Sequence, residues 1–101
     1  MEKEIRDDIK GIDRFVFEAG ADREQLRLHI SEVGPGLRAH PPHTHEGQEI
    51  FYVFSGEGEV LFGDQTHRVS SNEAIHVDCQ ILHGIRNIGE TPLRYAVIIA
   101  K

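Results

Sequence analysis

The chain has 101 residues, of which 11 are Lys or Arg and 17 are Asp or Glu, so its formal net charge is −6 at pH 7 with neutral histidines. This length fits one domain around one hydrophobic core. The negative charge argues against a nucleic-acid partner, because phosphate binding needs lysines and arginines concentrated on one face. Seven histidines are the unusual feature of the composition, and they direct attention to metal or proton chemistry.

The terminus and the cysteine usage predict a cytoplasmic location. Residues 1–8 are mostly charged and contain no apolar stretch of the signal-peptide type. The longest apolar runs, residues 50–54 and 95–100, are far shorter than the roughly 18 residues that a membrane span needs. Cys79 is the single cysteine and has no partner for an internal disulfide. We therefore expect no association with a membrane and no disulfide scaffold.

The predicted elements are short strands, separated by turn residues about every eight to twelve positions, which is typical of an all-β sandwich or barrel. Residues 1–10 form an N-terminal arm that is either helical or frayed. The predicted strands are residues 11–17, 26–30, 49–54, 59–62, 65–69, 74–77, 83–88 and 93–100. No repeat or low-complexity segment interrupts them, so residues 1–101 are predicted to form a single all-β domain.

Two of these strands, at residues 50–54 and 95–100, are apolar on both faces. A strand with one buried face alternates apolar and polar residues, so a strand without alternation is covered from both sides. In so small a chain we expect a partner subunit to supply the second cover. The sequence therefore predicts a homodimer.

The histidines concentrate before the third predicted strand. On an extended chain His43 and His45 point to the same side about 7 Å apart, and two imidazoles at that spacing can converge on one ion. Glu49 would lie roughly 13 Å beyond His45 on a straight strand, too far to share the ion. A turn at residues 46–48, with Gly47 at positive φ, would fold the chain into a hairpin and return Glu49 to the histidines.

The residues alone rank a fourth ligand only weakly among four further histidines. His40 precedes two prolines on a predicted loop, and His67 lies in a polar strand. His76 points away from the buried face of its strand. His83 opens a strand, where a side chain can point into a closed barrel. All four stay candidates on this reasoning.

Residues 36–56 resemble the first motif of the cupin superfamily, which runs Gly, five residues, His-x-His, three or four residues, Glu, six residues, Gly. The residues His43, His45, Glu49 and Gly56 match this motif in type and spacing, while Gly36 stands one residue early. The resemblance covers residues 33–100 when the second motif is included. It implies a cupin double-stranded β-helix, also called a jelly-roll barrel.

The second cupin motif runs Gly, five residues, Pro-x-Gly, two residues, His, three residues, Asn, and His83 and Asn87 fit it. By this resemblance His83 completes a ligand set with His43, His45 and Glu49 for one divalent ion, which is Mn, Fe, Ni, Co, Cu or Zn.

The sequence departs from the second motif where Asn72, Asp78 and Gln80 replace its Gly, Pro and Gly. The turn at residues 78–80 is therefore expected to be looser than the rigid turn of the motif. Cys79 within it has two interpretations. It is either a small turn residue or a thiol that acts as nucleophile or ligand.

A pocket is predicted beside the ion. Phe51 and Ile85 each follow a ligand candidate by two residues along a strand, so both should project into the barrel interior as an apolar wall. Arg38, if it points inward, would receive a substrate carboxylate. Arg27 and His29 share the polar face of their strand, and either line a polar pocket or face water.

Three neutral imidazoles and one carboxylate leave two open positions on an octahedral ion, which suits a small molecule that chelates through two oxygens. The leading hypothesis is a metal-dependent enzyme acting on a small oxygenated metabolite, with dioxygenase-like oxidation favoured over isomerase, lyase or decarboxylase chemistry. A non-catalytic metal-dependent binding protein or sensor is the alternative from another class. A structural β-sandwich with incidental histidines is the third.

Overall fold

The computed structural model describes residues 2–5, 12–16, 22 and 24–101. The described residues form strands and turns and contain no helix, so none of their segments is a helix long and apolar enough to cross a membrane. The nine strands are β1 (Glu2–Ile5), β2 (Ile12–Val16), β3 (Leu26–Val33), β4 (Gln48–Ser55), β5 (Glu57–Phe62), β6 (Gln65–Ser70), β7 (Ala74–Asp78), β8 (His83–Asn87) and β9 (Leu93–Ala100). The all-β prediction is confirmed.

The strands form two antiparallel sheets. A six-stranded sheet has the order β1-β2-β3-β9-β4-β7, and a three-stranded sheet has the order β6-β5-β8. Strands distant in sequence, such as β3 and β9, are neighbours in space, which is the arrangement of a jelly-roll. The predicted cupin double-stranded β-helix is confirmed.

The core lies between the two sheets and follows the alternation of side chains along each strand. On β4 the inward residues Phe51 and Val53 are 3% and 0% exposed, and they pack with Val60 of β5 and Ile85 of β8. The outward Phe54 on β4 is 41% exposed. Phe54 therefore stays exposed on the outer face of this strand in the described part of the chain, although the sequence of the strand is apolar on both faces.

The N-terminal segment contains a strand. Glu2–Ile5 pairs antiparallel with β2, with Glu2 opposite Val16. The helical alternative is wrong for these residues, because a strand here satisfies its backbone groups at the edge of the sheet. Residues 6–10 of the predicted arm lie outside the described residues.

The register of the six-stranded sheet places inward side chains in rows that cross β3, β9 and β4. Neighbouring strands are about 4.8 Å apart, so residues in one row are close even when they are far apart in sequence. Two rows matter for the site: one contains Arg27, Ile99 and Glu49, and the next contains His29, Val97 and Phe51.

Candidate metal centre

Three histidines and one glutamate lie close together in the fold. His43 and His45 lie on the segment between β3 and β4, Glu49 lies on β4, and His83 begins β8. The three imidazole ring centroids are 4.9 Å apart in each of their three pairs. The Glu49 carboxylate lies 3.6 Å from His45 Nε2 and 3.3 Å from His83 Nε2. The structure thus brings together the four residues that the sequence analysis singled out.

The segment that carries His43 and His45 pairs with the residues that lead into β8, and the predicted hairpin with β4 is wrong. His43 and His83 exchange both backbone hydrogen bonds, at 3.0 and 3.1 Å. The His45 amide donates to the Cys79 carbonyl at 2.8 Å. These long-range bonds hold the two histidine-bearing segments side by side, and a local turn alone would not have done so.

The bend of the chain before Glu49 depends on Gly47. Its φ is 99°, in the left-handed region that favours glycine, so the positive φ expected from the sequence is confirmed. A Cβ atom at this position would lie 2.6 Å from the backbone oxygen of Ala100. Since β4 pairs with β9, any side chain at Gly47 would push apart the two strands that place Glu49.

The turn that delivers His83 is closed by the Asp78 side chain. The Gln80 amide donates to Asp78 Oδ1 at 3.0 Å, and the Ile81 amide donates to the Asp78 carbonyl at 3.1 Å. An Asx turn therefore occupies the place of the Pro-x-Gly turn of the motif. His83 follows this turn and is 0% exposed.

Backbone carbonyls set the tautomers of two imidazoles. The Nδ1 atom of His45 lies 2.9 Å from the Glu46 carbonyl, and that of His83 lies 2.8 Å from the Ile81 carbonyl. A carbonyl only accepts hydrogen bonds, so each Nδ1 is assigned the proton and each Nε2 presents a lone pair to Glu49. This is the arrangement in which histidines bind metal ions.

The Nε2 atom of His83 is buried and has no hydrogen-bond partner among the described residues. Leaving such an atom unsatisfied costs about 1–3 kcal/mol. A divalent cation between this nitrogen and the Glu49 carboxylate would accept lone pairs from both groups. The residues present therefore fit a metal ion.

Burial shifts the protonation equilibria of the cluster. Burial, and then the neighbouring histidines His40, His83 and His45, lower the pKa of His43 to about 4. Burial also lowers the pKa of His83. Burial raises the pKa of Glu49 to about 7. Without a metal, His43 and His83 are thus neutral at neutral pH, while Glu49 is divided between its protonated and ionised forms.

Cys79 lies beside the cluster as a further donor. Its Sγ and one ligand atom each of His45, Glu49 and His83 all lie within 4.8 Å of one another. Burial, and then the charges of Glu49 and Asp78, raise the pKa of the thiol to about 11, so the thiol is protonated at neutral pH. His45, Glu49 and His83 therefore belong to two possible sets of four donors. The fourth donor is His43 in one set and Cys79 in the other.

His43, His45 and Glu49 line a cavity of about 230 Å³, and His83 is not among its lining residues. Phe51 and Ile85 line this cavity, where the sequence analysis puts them. Arg38 does not line it. Arg38 is exposed and lines a separate hollow with Arg86, because the next residue, Ala39, takes the inward position.

His40, one of the four histidines that the residues alone left as candidates for the fourth ligand, also lies at the site. The His40 ring stacks on the His43 ring, with centroids 4.3 Å apart and 18° between the planes, and it lines the cavity. Its position before two prolines predicted only a loop. The remaining candidates, His67 and His76, are exposed as predicted, and His76 Nε2 lies 2.8 Å from Gln48 Oε1.

Basic and polar side chains of β3, together with Lys101 directly after β9, also line the cavity. Arg27 and His29 line it, which decides between the two roles that the sequence left open. The alternation of β3 was the signal for this position. Lys101 also lines the cavity, and no local pattern indicates that role, because it follows from the place of β9 beside β3.

Residues 29–99 match a family model described as a cupin domain. The chain belongs to the cupin family. The matched range contains all four residues of the converging set. The match to the family model therefore includes the part of this cupin that forms the candidate metal centre.

Two curated relatives and one solved structure illustrate the range of similar proteins. Mannose-1-phosphate guanylyltransferase RfbM of Salmonella typhimurium is 36% identical over 62 residues, which are 61% of this cupin and 13% of that protein. Auxin-binding protein 1 of Arabidopsis thaliana is 26% identical over 88 residues, which are 77% of this cupin and 43% of that protein. This cupin therefore spans less than half the length of either relative.

The solved structure is a Thermotoga maritima protein described as a predicted oxalate decarboxylase. It superposes with a TM-score of 0.82 at 23% identity, and the match covers 97% of this cupin and 90% of that chain. Likeness at this identity shows a shared fold.

Proposed function

We propose that this cupin binds one divalent metal ion through His43, His45, Glu49 and His83 and uses it to act on a small oxygenated metabolite. The observation that carries the proposal is the buried Nε2 of His83, which faces the Glu49 carboxylate at 3.3 Å without a hydrogen bond. Two facing lone pairs repel each other unless a cation or a proton lies between them. A divalent cation relieves this repulsion and also satisfies the neighbouring imidazoles.

His43 is preferred to Cys79 as the fourth donor. The three imidazole rings surround a common centre at equal centroid separations of 4.9 Å. With a pKa of about 4, His43 binds an ion at neutral pH without losing a proton. The Cys79 thiol, with a pKa of about 11, must first lose one. Three nitrogens and one carboxylate suit Mn, Fe, Ni, Co, Cu or Zn.

A bound divalent ion supplies Lewis-acid polarisation of a chelating substrate oxygen and, where the metal is redox-active, oxidation by O₂. The protein contributes orientation and shielding. The carbonyls of Glu46 and Ile81 fix His45 and His83 in the tautomer whose Nε2 lone pairs would bind the ion. Phe51 and Tyr95 stack edge to face, with centroids 6.0 Å apart, and keep water from one side of the substrate. Dioxygenase-like oxidation is the favoured reaction, ahead of isomerase, lyase or decarboxylase chemistry.

A second candidate is metal-dependent binding of a small molecule without catalysis. Among the described residues that line the cavity, Glu49 is the one carboxylate, and it belongs to the proposed ligand set. A reaction that moves protons thus has no separate carboxylic acid at hand. A relative named for auxin binding, 26% identical to this cupin, also favours this candidate.

Elemental analysis of the purified protein tests the metal proposal. The parent protein should contain close to one equivalent of metal, and His43→Ala and Glu49→Gln should lose most of it, because each substitution removes one proposed ligand. His67→Ala is the matched control, because His67 is exposed and lies outside the cavity. A parent protein that takes up no metal under varied supplementation would refute the proposal.

Oxygen consumption separates the two candidate functions. The metal-loaded protein is offered a panel of keto acids, diketones and catechols. Uptake of O₂ by at least one of these supports the dioxygenase-like reaction. No uptake across the panel favours metal-dependent binding or a non-oxidative reaction.

A further inference from the structure

We propose, on the basis of the proposed metal-binding function, that Cys79 gives the metal centre a second, closed mode of binding. In this mode soft divalent cations such as Cd²⁺ are bound by the sulfur set, which consists of Cys79, His45, Glu49 and His83. Harder cations use the nitrogen set, in which His43 takes the place of Cys79, and stay open to a substrate. Because the two sets share three residues, a cation in one set excludes a cation from the other.

The donor atoms of the sulfur set are already close together. One donor atom from each of its four residues lies within 4.8 Å of the other three. Four donors held tetrahedrally at roughly 2.0–2.3 Å from one ion are roughly 3.3–3.8 Å apart. The Glu49 carboxylate already has this spacing, at 3.6 Å from His45 Nε2 and 3.3 Å from His83 Nε2. Side-chain shifts of about 1 Å would therefore close the set around an ion.

His83 points to a cation in this set independently of the cysteine. Its Nε2 atom is buried and receives no hydrogen bond from the described residues. His83 and Cys79 are both 0% exposed, and Glu49 between the histidines is 4% exposed. A buried nitrogen without a partner, next to a buried carboxylate and a buried sulfur, is the donor chemistry of a closed metal site.

Backbone hydrogen bonds fix Cys79 beside two of the shared donors. Its amide donates to the Gly47 carbonyl at 3.1 Å, and its carbonyl accepts from the His45 amide at 2.8 Å. Gly47 precedes Glu49 by two residues. Cys79 is therefore held against the segment that carries His45 and leads to Glu49.

The two sets differ in how they face the cavity. His43, His45 and Glu49 line it, whereas Cys79 and His83 are not among its lining residues. The exchange of His43 for Cys79 thus replaces a donor in the cavity wall by a donor behind that wall. A tetrahedral ion with four protein donors also has no open position for a substrate. The sulfur set therefore binds an ion in a form that is closed to the cavity.

Charge and polarisability assign different cations to the two sets. The nitrogen set carries one negative charge and leaves a divalent ion with one positive charge. In the sulfur set the thiol of Cys79 loses its proton to the solvent as the sulfur–cadmium bond forms, so two negative charges neutralise the ion. A neutral centre suits a buried position, and thiolates prefer soft cations. Harder cations gain less from sulfur and stay with His43.

Titration of the metal-free protein with Cd²⁺ and with Co²⁺ tests the two modes. The parent protein and the control His67→Ala should bind one equivalent of either ion, and only Cd²⁺ should produce the ultraviolet absorption of a thiolate bound to metal. Cys79→Ser should lose this absorption and at least about tenfold in affinity for Cd²⁺, while it keeps its affinity for Co²⁺. His43→Ala should lose at least about tenfold in affinity for Co²⁺ and keep the absorption with Cd²⁺. An unchanged affinity of Cys79→Ser for Cd²⁺ overturns the proposal.

Two measurements on the parent protein require no variant to fold. X-ray absorption at the cadmium edge should show four donors, of which one is sulfur. The protein loaded with one equivalent of Cd²⁺ should take up no Co²⁺, because the two sets share His45, Glu49 and His83. Cadmium bound without sulfur, or cadmium and cobalt bound together, overturns the proposal.

The cobalt titration also distinguishes this failure from a failure of the proposed function. Binding of Co²⁺ together with cadmium bound without sulfur refutes the sulfur set alone. Cadmium bound through sulfur by a protein that takes up no Co²⁺ contradicts the nitrogen set of the proposed function and supports the sulfur set. Binding of neither ion refutes both proposals.

Discussion

The Nε2 atom of His83 lies 3.3 Å from Glu49 Oε2, and both side chains are buried, yet no hydrogen bond joins them. The His83 proton resides on Nδ1, where it is donated to the Ile81 carbonyl. Two acceptors therefore face each other inside the protein. This arrangement is unfavourable when Glu49 is ionised and favourable around a cation, so the same contact destabilises the metal-free fold and promotes metal binding.

Removing the Glu49 charge should stabilise the metal-free protein most at high pH. Folding raises the pKa of this carboxyl from 4.5 to about 7. The stabilising contribution of the protonated carboxyl is therefore fully present below pH 4.5 and is lost as the pH rises through about 7. Glu49→Gln should add about 2–3 kcal/mol more to the free energy of unfolding at pH 8 than at pH 5.

Urea denaturation with a metal chelator at both pH values measures this difference. The lowered pKa values of the histidines affect the stability of the parent protein and of Glu49→Gln alike. Their contributions to the difference between the two proteins therefore cancel to first order. Glu46→Gln is the control, because Glu46 is exposed, and it should show no such pH dependence. An equal effect of Glu49→Gln at pH 5 and pH 8 would contradict the account.

Replacing Cys79 should leave metal binding intact. His43 takes the fourth ligand position in the proposed set, so Cys79→Ala should retain close to one equivalent of metal. The cobalt-loaded parent protein should show no intense near-ultraviolet absorption from a thiolate bound to cobalt. Such a band in the parent protein, absent in Cys79→Ala, would show that the set with sulfur is the one that forms.

Gly47→Ala should weaken both the fold and metal binding. The new Cβ would lie 2.6 Å from the Ala100 carbonyl oxygen at a φ of 99°, so the strands β4 and β9 must separate. We expect a loss of at least about 2 kcal/mol in the free energy of unfolding. Gly34→Ala is the matched control, since its Cβ would meet only the Leu37 side chain at 3.6 Å. Equal stability of the two variants by thermal unfolding would argue against the role of Gly47.

The homodimer stays a prediction, and we expect a second copy to pack on the outward face of the six-stranded sheet. The outward face of the six-stranded sheet carries Ile50 and Phe54, which are 38% and 41% exposed, and Ile98 lies opposite Ile50 on β9. We expect light scattering to give twice the mass of the chain, and Ile50→Lys to shift the mass toward that of one chain. Thr66→Lys on the other sheet is the control. A monodisperse monomer of the parent protein would contradict the prediction.

Three of the four converging residues could be predicted from the residues alone because their spacing is local, whereas His83 followed from the family resemblance. His43, His45 and Glu49 lie within one short segment, and the positive φ of Gly47 follows from the turn that this spacing requires. The pairing of His43 with His83 could not be predicted in this way. Its hydrogen bonds join segments that are far apart in the chain, and no local pattern specifies such a partner.

Local sequence was also insufficient to predict which arginine lines the cavity. Arg38 is close to the histidines in sequence, but the inward position in its segment belongs to Ala39. Arg27 lines the cavity because β9 lies between β3 and β4 in the sheet. Alternation along β3 indicates which of its side chains share a face, whereas strand order decides what that face meets.

A direct metal titration of His83→Gln tests the central claim most sharply. His83 contributes a buried nitrogen that has no other partner among the described residues, so its loss should reduce metal affinity by at least about tenfold. His76→Gln serves as the control and should bind like the parent protein, because His76 is exposed on the outer face. Near-stoichiometric binding by the parent protein and His76→Gln, with weak binding by His83→Gln, is the predicted result. Equal metal affinity of His83→Gln and the parent protein would contradict the account.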